Sequence, residues 1–151
     1  MVIAEQMATN LRDAANSVLE MMFMAPVLAD QEFPPPNVSD PILVGLEFVG
    51  QAKGSFTLAV STTTAERLAL NFMGMSMDEH LDRQPVIEVL GELANMLCGH
   101  FLGQLNFHEI FRLSTPCEIS VETFATARGH TYQRTVHLEQ GSLSMQVAVE
   151  E

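Results

Sequence analysis

The sequence predicts an α+β fold, an antiparallel sheet with helices packed on one face. Two observations lead to this fold class: strand-like segments occur in runs joined by short turns, and helical segments separate those runs. The expected order is helix, two strands, helix, long helix and three strands. The 151 residues are enough for one hydrophobic core, and no linker divides them, so residues 1–151 are expected to form a single domain.

The first half of the chain is expected to fold as a helix, a β-hairpin and a second helix. Residues 5–24 have apolar side chains at helical spacing, and the prolines within residues 30–41 then predict a loop. Residues 42–50 and 54–61 are strand-like and close in sequence, which indicates a hairpin. Residues 62–74 begin with threonines suited to an N-cap and end at a glycine suited to a C-cap. The apolar series of the first helix is Leu11, Ala15, Val18 and Met22.

The second half of the chain is expected to contain the longest helix and three strands. The helix is predicted over residues 85–105, with Pro85 in the first turn, where its missing N–H costs little. Residues 117–124, 131–139 and 142–150 have strand-like patterns, and a glycine-containing turn joins the last two.

The acidic composition argues against several classes of partner. The net charge is −12, from 7 basic and 19 acidic residues, and so few cations can hardly build the basic surface that binds nucleic acids or anionic membranes. We expect no membrane span, because the most apolar run near the N-terminus is far shorter than about 20 residues and contains a proline. We expect no signal peptide, because the N-terminus lacks a basic region. The two cysteines, Cys98 and Cys117, form no disulfide framework, which favours a cytoplasmic protein.

The long helix carries a narrow polar stripe on an otherwise apolar surface. At 100° per residue, Asn95 and Glu88 lie about 60° and 40° to one side of Glu92. Gly99 and Gly103 lie within about 20° of Glu92, one on each side. The opposite face, which is expected to join the core, is made of Leu90, Ala94, Leu97 and Phe101.

This stripe admits two interpretations. A solvated helix face accounts for the two glutamates, because surface helices commonly expose acids. Glycines are less typical of a solvated face, and they allow another backbone or a bulky group to approach the helix closely. That group could belong to a partner protein or to a neighbouring element of the same fold.

The sequence EVLGELANMLCG around the stripe resembles the signature of the CheC/CheX phosphatases of bacterial chemotaxis. In that family an Asp or Ser is followed after three residues by Glu, after two more by Asn, and about twenty residues later by Pro. The matching positions are Glu88, Glu92, Asn95 and Pro116. The first helix, the Gly-x-x-x-Gly hairpin and the next helix are also similar to the family, and the single motif resembles CheX more than the two-copy CheC.

The sequence departs from the family pattern in three respects. Glu88 stands where the signature has Asp or Ser. Twenty residues separate Asn95 from Pro116, slightly fewer than is usual in the family. The first helix has the spacing of a second motif, but its residue types differ after the first position, so it is interpreted as a decayed or never-active copy. Its positions are Asp13, Ser17 and Glu20.

The resemblance implies a CheC-like fold and removal of the phosphoryl group from the aspartyl phosphate of a CheY-like receiver domain. The receiver would hold Mg²⁺ and supply a lysine, so this chain is expected to bind no cofactor or metal itself. Asn95 would orient the attacking water, because an amide accepts and donates hydrogen bonds without losing a proton. Glu92 would pair with the receiver's lysine, and Glu88 would extend that contact. Gly99 and Gly103 would let the receiver approach the helix.

Other functions remain open at this point. The resemblance favours a phosphatase that forms a homodimer. The alternatives are a receiver-binding or flagellar-switch-like adaptor of the same fold without turnover, and a structural dimerisation module with a solvated stripe. A zinc site is disfavoured, because His108 and Glu109 resemble the start of an HExxH motif but Arg112 stands in place of the second histidine.

Overall fold

The computed structural model describes residues 2–31, 40–105 and 110–150 of the chain. Within these ranges the helices are α1 (Val2–Phe23), α2 (Thr62–Phe72), α3 (Arg83–Gly103) and α4 (Val121–Ala125). The strands are β1 (Ala29–Gln31), β2 (Pro41–Val49), β3 (Lys53–Ser61), β4 (Arg112–Leu113), β5 (Cys117–Glu118), β6 (His130–Leu138) and β7 (Gly141–Glu150). The three predicted helices are present, and the fold also contains short elements that were not predicted.

The strands form one antiparallel sheet. Its order is β1-β6-β7-β3-β2-β4, and β5 also pairs with β2. Both predicted hairpins, β2–β3 and β6–β7, are present, and β3 pairs with β7 between them. In the turn of the first hairpin the N–H of Gly50 donates to the carbonyl of Ala52 at 2.9 Å. The predicted α+β fold class with an antiparallel sheet is confirmed.

One face of the sheet is apolar and carries the three long helices. Alternate residues of the central strands, such as Leu58 of β3 and Val147 of β7, are fully buried on this face. Burying side chains of this size contributes about 1.5–3 kcal/mol each, so the helices are held firmly on the sheet. The predicted apolar face of α3 lies in this core, with Leu90, Ala94, Leu97 and Phe101 fully buried.

The opposite face of the sheet carries the short helix α4. Gln146 of β7 lies between two core residues in sequence, and its Nε2 donates to the carbonyl of Phe124 in α4 at 3.1 Å. A Cβ added to Gly45 of β2 would lie 3.4 Å from Cδ1 of Ile119, just before α4. The segment from Ile119 to α4 therefore covers the second face.

Helix α4 shows that the strand predicted over residues 117–124 is wrong beyond its first two residues. Only Cys117–Glu118 pairs with β2, and the chain then turns into the helix. Ser120 caps the helix, because its Oγ accepts a hydrogen bond from the N–H of Thr123 at 3.1 Å. Val121 is exposed, so no buried face stabilises an extended strand here.

The ends of several other elements differ from the sequence predictions. The predicted loop over residues 30–41 contains Asp30 and Gln31 of β1 and the first residue of β2, and its residues 32–39 lie outside the described part of the chain. The sequence predicts Met22 on the apolar face of α1, but its side chain is 48% exposed and the next residue, Phe23, is buried instead. The long helix begins and ends two residues earlier than predicted.

Candidate functional site

The polar stripe of α3 is a continuous exposed surface. Beyond the first turn, the exposed residues of α3 are Glu88, Glu92, Asn95, Gly99 and Gly103, the positions that helical spacing selects. The residues between them are buried or half-buried. The predicted two-faced helix is confirmed, and its stripe points away from the core.

Helix α3, which presents the stripe, is anchored at its first turn and along its buried face. Arg83 in the first turn pairs with Glu118 of β5, which ties α3 to the edge of the sheet. Pro85 also lies in the first turn, where the helix needs no N–H from it. Because α3 packs on α1, α2 and β2, the stripe belongs to a rigid element.

The glycines of α3 have different surroundings. A Cβ added to Gly99 or Gly103 would meet no atom of the described chain within 4 Å. A Cβ added to Gly91 would lie 3.3 Å from the Cβ of Pro116. Within the described residues, no neighbouring element therefore covers the stripe at Gly99 and Gly103. The interpretation that these two glycines admit another part of the same fold is wrong for this part of the chain.

Glu92 and Asn95 are neighbours on the helix and have no partner in the fold. They lie about one turn apart on the same face. Among the residues that the structure describes, neither side chain has a hydrogen-bond or ion-pair partner. The amide of Asn95 can accept and donate hydrogen bonds, and the carboxylate of Glu92 can pair with a cation. Together they can orient a water and bind a positive group of another molecule.

A groove beside the first half of α3 is not evident from the sequence. It encloses about 720 Å³ and is lined by both glutamates of the stripe, Glu88 and Glu92. Its other walls are Phe72 and Met73 at the end of α2 and the segment around Pro116. These segments are distant in sequence, so only the fold brings them to the motif.

The corresponding positions of α1 are arranged differently. The Asp13 carboxylate lies 3.6 Å from the guanidinium of Arg12, and both side chains are partly exposed. Ser17 is half-buried and Glu20 is exposed. At the position that matches Asn95, α1 therefore offers a carboxylate in place of an amide.

A second cavity lies on the opposite face of the sheet, beside α4. It encloses about 520 Å³, and the charged side chains that line it are Glu47, Lys53, Arg128 and Glu150. None of the stripe residues lines this cavity. It is therefore separate from the motif, which lies on the helical side of the sheet.

The described residues offer no obvious metal or nucleophile site. No group of three His, Cys, Asp or Glu side chains among them could hold a metal ion, and His108 and Glu109 lie outside the described residues. Both cysteines are free, with Cys98 buried and Cys117 exposed. Burial raises the pKa of the Cys98 thiol to about 12, so it stays protonated and unreactive at neutral pH.

Helix α3 has one further property that comes from its role in the core. It is the one described helix whose length and composition would allow it to cross a membrane, and half of its apolar window is buried inside the fold. The core helix of a globular protein has the same length and composition. Packing against the sheet therefore explains its apolar character.

Known structures share this fold at low sequence identity. A chain of the CheX–CheY–BeF3–Mg²⁺ complex from Borrelia burgdorferi matches with a TM-score of 0.77 and 19% identity, covering 95% of this chain and 97% of that chain. The chemotaxis protein CheX from Vibrio vulnificus matches with a TM-score of 0.73 and 17% identity, covering 95% and 96%. FliY from Thermotoga maritima matches with a TM-score of 0.62 and 16% identity, covering 97% and 87%. By sequence, no curated protein matches the chain.

A family model gives the more specific result. The model of the chemotaxis phosphatase CheX matches residues 42–146, which run from β2 into β7. The matched range contains the whole of α3, with its stripe, and Pro116. The resemblance drawn from the motif is confirmed, and the chain belongs to the CheX family of chemotaxis phosphatases.

Proposed function

We propose that this protein is a phosphatase that removes the phosphoryl group from the aspartyl phosphate of a CheY-like receiver domain. The observation that carries the proposal is the exposed Glu92–Asn95 pair, which has no partner among the described residues. Membership of the CheX family supports the reaction class. The similarity to a chain of a solved CheX–CheY complex supports the class of partner.

The proposed reaction is hydrolysis of an acyl phosphate. Water attacks phosphorus opposite the aspartyl oxygen, the bond between phosphorus and that oxygen breaks, and inorganic phosphate leaves. The receiver recovers its carboxylate, and the proton of the water passes to phosphate or solvent. Mg²⁺ and a lysine of the receiver neutralise the phosphoryl charge, so the phosphatase has to supply the orientation of the water.

In this reaction Asn95 acts on the water. Its amide oxygen accepts a hydrogen bond from the water and holds the water's lone pair toward phosphorus. The amide does not ionise at neutral pH, so it orients the nucleophile and is not a general base. A side chain on a rigid helix suits this role, because a small displacement of a reacting group costs a large factor in rate.

The other stripe residues bind the receiver. Glu92 pairs with the receiver's lysine and sets the register of docking, and Glu88 extends the acidic surface. Gly99 and Gly103 lie at open positions, where a Cβ would meet no described atom. The backbone of the receiver can therefore approach α3 closely at these two positions.

Phosphate release from a panel of receiver domains tests this proposal. Each receiver is charged with acetyl phosphate, and release is followed with and without the protein. We expect at least one receiver to lose phosphate faster when the protein is added. Binding to a receiver without acceleration of release would contradict the phosphatase and support an adaptor.

A non-catalytic receiver-binding or flagellar-switch-like adaptor is the second candidate, and Glu88 is the observation that favours it. Glu88 replaces the Asp or Ser of the family signature, and its side chain is one methylene longer than that of aspartate. If this length keeps the water away from Asn95, the stripe binds a receiver without turnover. Glu88→Asp would then gain activity, whereas an active wild type excludes this explanation.

The proposal also includes expectations that the resemblance carries. Residues 1–151 act as one domain, the protein forms a homodimer in the cytoplasm, and Mg²⁺ is bound by the receiver. Sedimentation at micromolar concentration tests the dimer, and a monomeric mass would contradict it.

A further inference from the structure

The wall of the groove that α2 provides is fixed in place. The ring of Phe72 stacks on the buried Phe23, with the ring centroids 4.8 Å apart. Helix α2 ends at Phe72, Met73 is its C-cap residue, and Gly74 follows with a φ of 68°. The stacked ring and the helix end hold Met73 at the groove before any partner arrives.

The opposite wall of the groove is fixed as well. Pro116 packs against α3 at Gly91, where a Cβ would come within 3.3 Å of it. Two residues later, Glu118 pairs with Arg83 in the first turn of α3. The groove is therefore preformed on both sides of its acidic residues.

The surface of the groove combines apolar and acidic groups. Met73 is 51% exposed, and Phe72 and Ile87 are partly exposed beside it. Glu88 and Glu92 lie along the same groove. An apolar centre beside charged residues is the usual composition of a protein–protein interface, and methionine adapts its shape to a partner.

We propose that the receiver inserts an apolar side chain into this groove while its active site receives Glu92 and Asn95. The inference rests on the proposed function, since the receiver is the occupant. Glu88 and Glu92 belong to both surfaces, so a protein that contacts the stripe lies directly beside the groove. A specific interface buries about 800 Å² on each partner. Two of the five stripe residues are glycines without side chains, so the stripe needs neighbouring surface to reach that area.

The test compares Met73→Glu with two matched variants. Met73→Leu keeps an apolar side chain in the groove. Met21→Glu makes the same charge change at an 80% exposed methionine of α1 that does not line the groove. Thermal unfolding of all three checks that the fold is kept.

We expect Met73→Glu to raise the KM for the phosphorylated receiver by about 10-fold with kcat unchanged, since a charge is placed in an apolar contact. Met21→Glu should behave as wild type, and Met73→Leu should restore most of the affinity that Met73→Glu loses, because it keeps an apolar side chain in the groove. A KM for Met73→Glu equal to that of wild type would overturn the groove contact and leave the phosphatase intact.

The same variants separate the two proposals if turnover is absent. If wild type binds a receiver without releasing phosphate, the proposed function fails. A lower affinity of Met73→Glu for that receiver would still support the groove contact, and an unchanged affinity would contradict it. Should wild type bind no receiver of the panel, both proposals fail.

Discussion

The ring of Pro116 occupies the space beside Gly91, where an added Cβ would lie 3.3 Å from the proline Cβ. Gly91 directly precedes Glu92 and lies one turn before Asn95. Because helical side chains lean toward the N-terminus, Asn95 extends over the turn that contains Gly91. The glycine–proline contact thus builds a wall of the groove next to the proposed water-orienting amide.

Alanine at Gly99 should stabilise the protein. Glycine in an exposed helix costs about 1 kcal/mol relative to alanine, and the added Cβ meets no described atom. We expect the free energy of unfolding in urea to rise by about 0.5–1 kcal/mol, and Tm by about 1–4 °C.

Gly91→Ala is the control for that prediction. It makes the same substitution in the same helix, but the new Cβ has to displace Pro116. The gain in helix propensity should then be offset, and Tm should not rise as it does for Gly99→Ala. Equal stabilisation by both variants would contradict the tight contact.

Removing the charge of Glu92 should weaken docking. Glu92→Gln keeps the size of the side chain and removes the charge that the proposed ion pair with the receiver's lysine needs. We expect the affinity for an activated receiver to fall by about 10-fold and to depend less on salt than that of wild type. Glu20→Gln, at an exposed acid of α1, should leave both quantities unchanged. An identical salt dependence for Glu92→Gln and wild type would argue against the ion pair.

Because the thiol of Cys98 is buried, we expect the free energy of unfolding to fall at alkaline pH. Its pKa is raised from 9.0 to about 12 by burial, so between these values the unfolded chain releases a proton that the folded protein keeps. Stability from this group is therefore complete below pH 9 and is lost as the pH rises toward 12, with a slope of about −1.4 kcal/mol per pH unit.

Urea unfolding at a series of pH values measures that slope. Cys98→Ala should flatten it, whereas Cys117→Ala, at the exposed cysteine, should retain it. A wild-type slope that persists in Cys98→Ala would assign the alkaline loss of stability to other groups.

The stripe could be predicted from sequence because helical spacing is a local property. Five residues recurring every three or four positions define one face of a helix, and the same five are exposed in the fold. The hairpins follow from equally local signals, namely strand-like segments separated by glycine-containing turns. Local sequence signals are therefore sufficient to predict the motif and the helix face that carries it.

The groove and α4 could not be predicted in this way. The alternation of Cys117, Ile119 and Val121 with polar residues is typical of a strand, yet the fold leaves Val121 exposed and Ser120 caps a helix. The groove joins segments around Met73 and Pro116 that meet only through packing. The two-residue strand β4 and the three-residue strand β1 exist because longer strands offer them partners.

The most direct test of Asn95 as the water-orienting group is the dephosphorylation rate of a receiver with wild type and with Asn95→Ala. Asn95 is exposed and has no partner among the described residues, so Asn95→Ala should fold as stably as wild type. Asn16→Ala, at an exposed asparagine of α1, is the matched control and should keep full activity. We predict that Asn95→Ala lowers kcat by about 100-fold while its affinity for the receiver is unchanged. Dephosphorylation by Asn95→Ala at the wild-type rate would contradict the proposed mechanism.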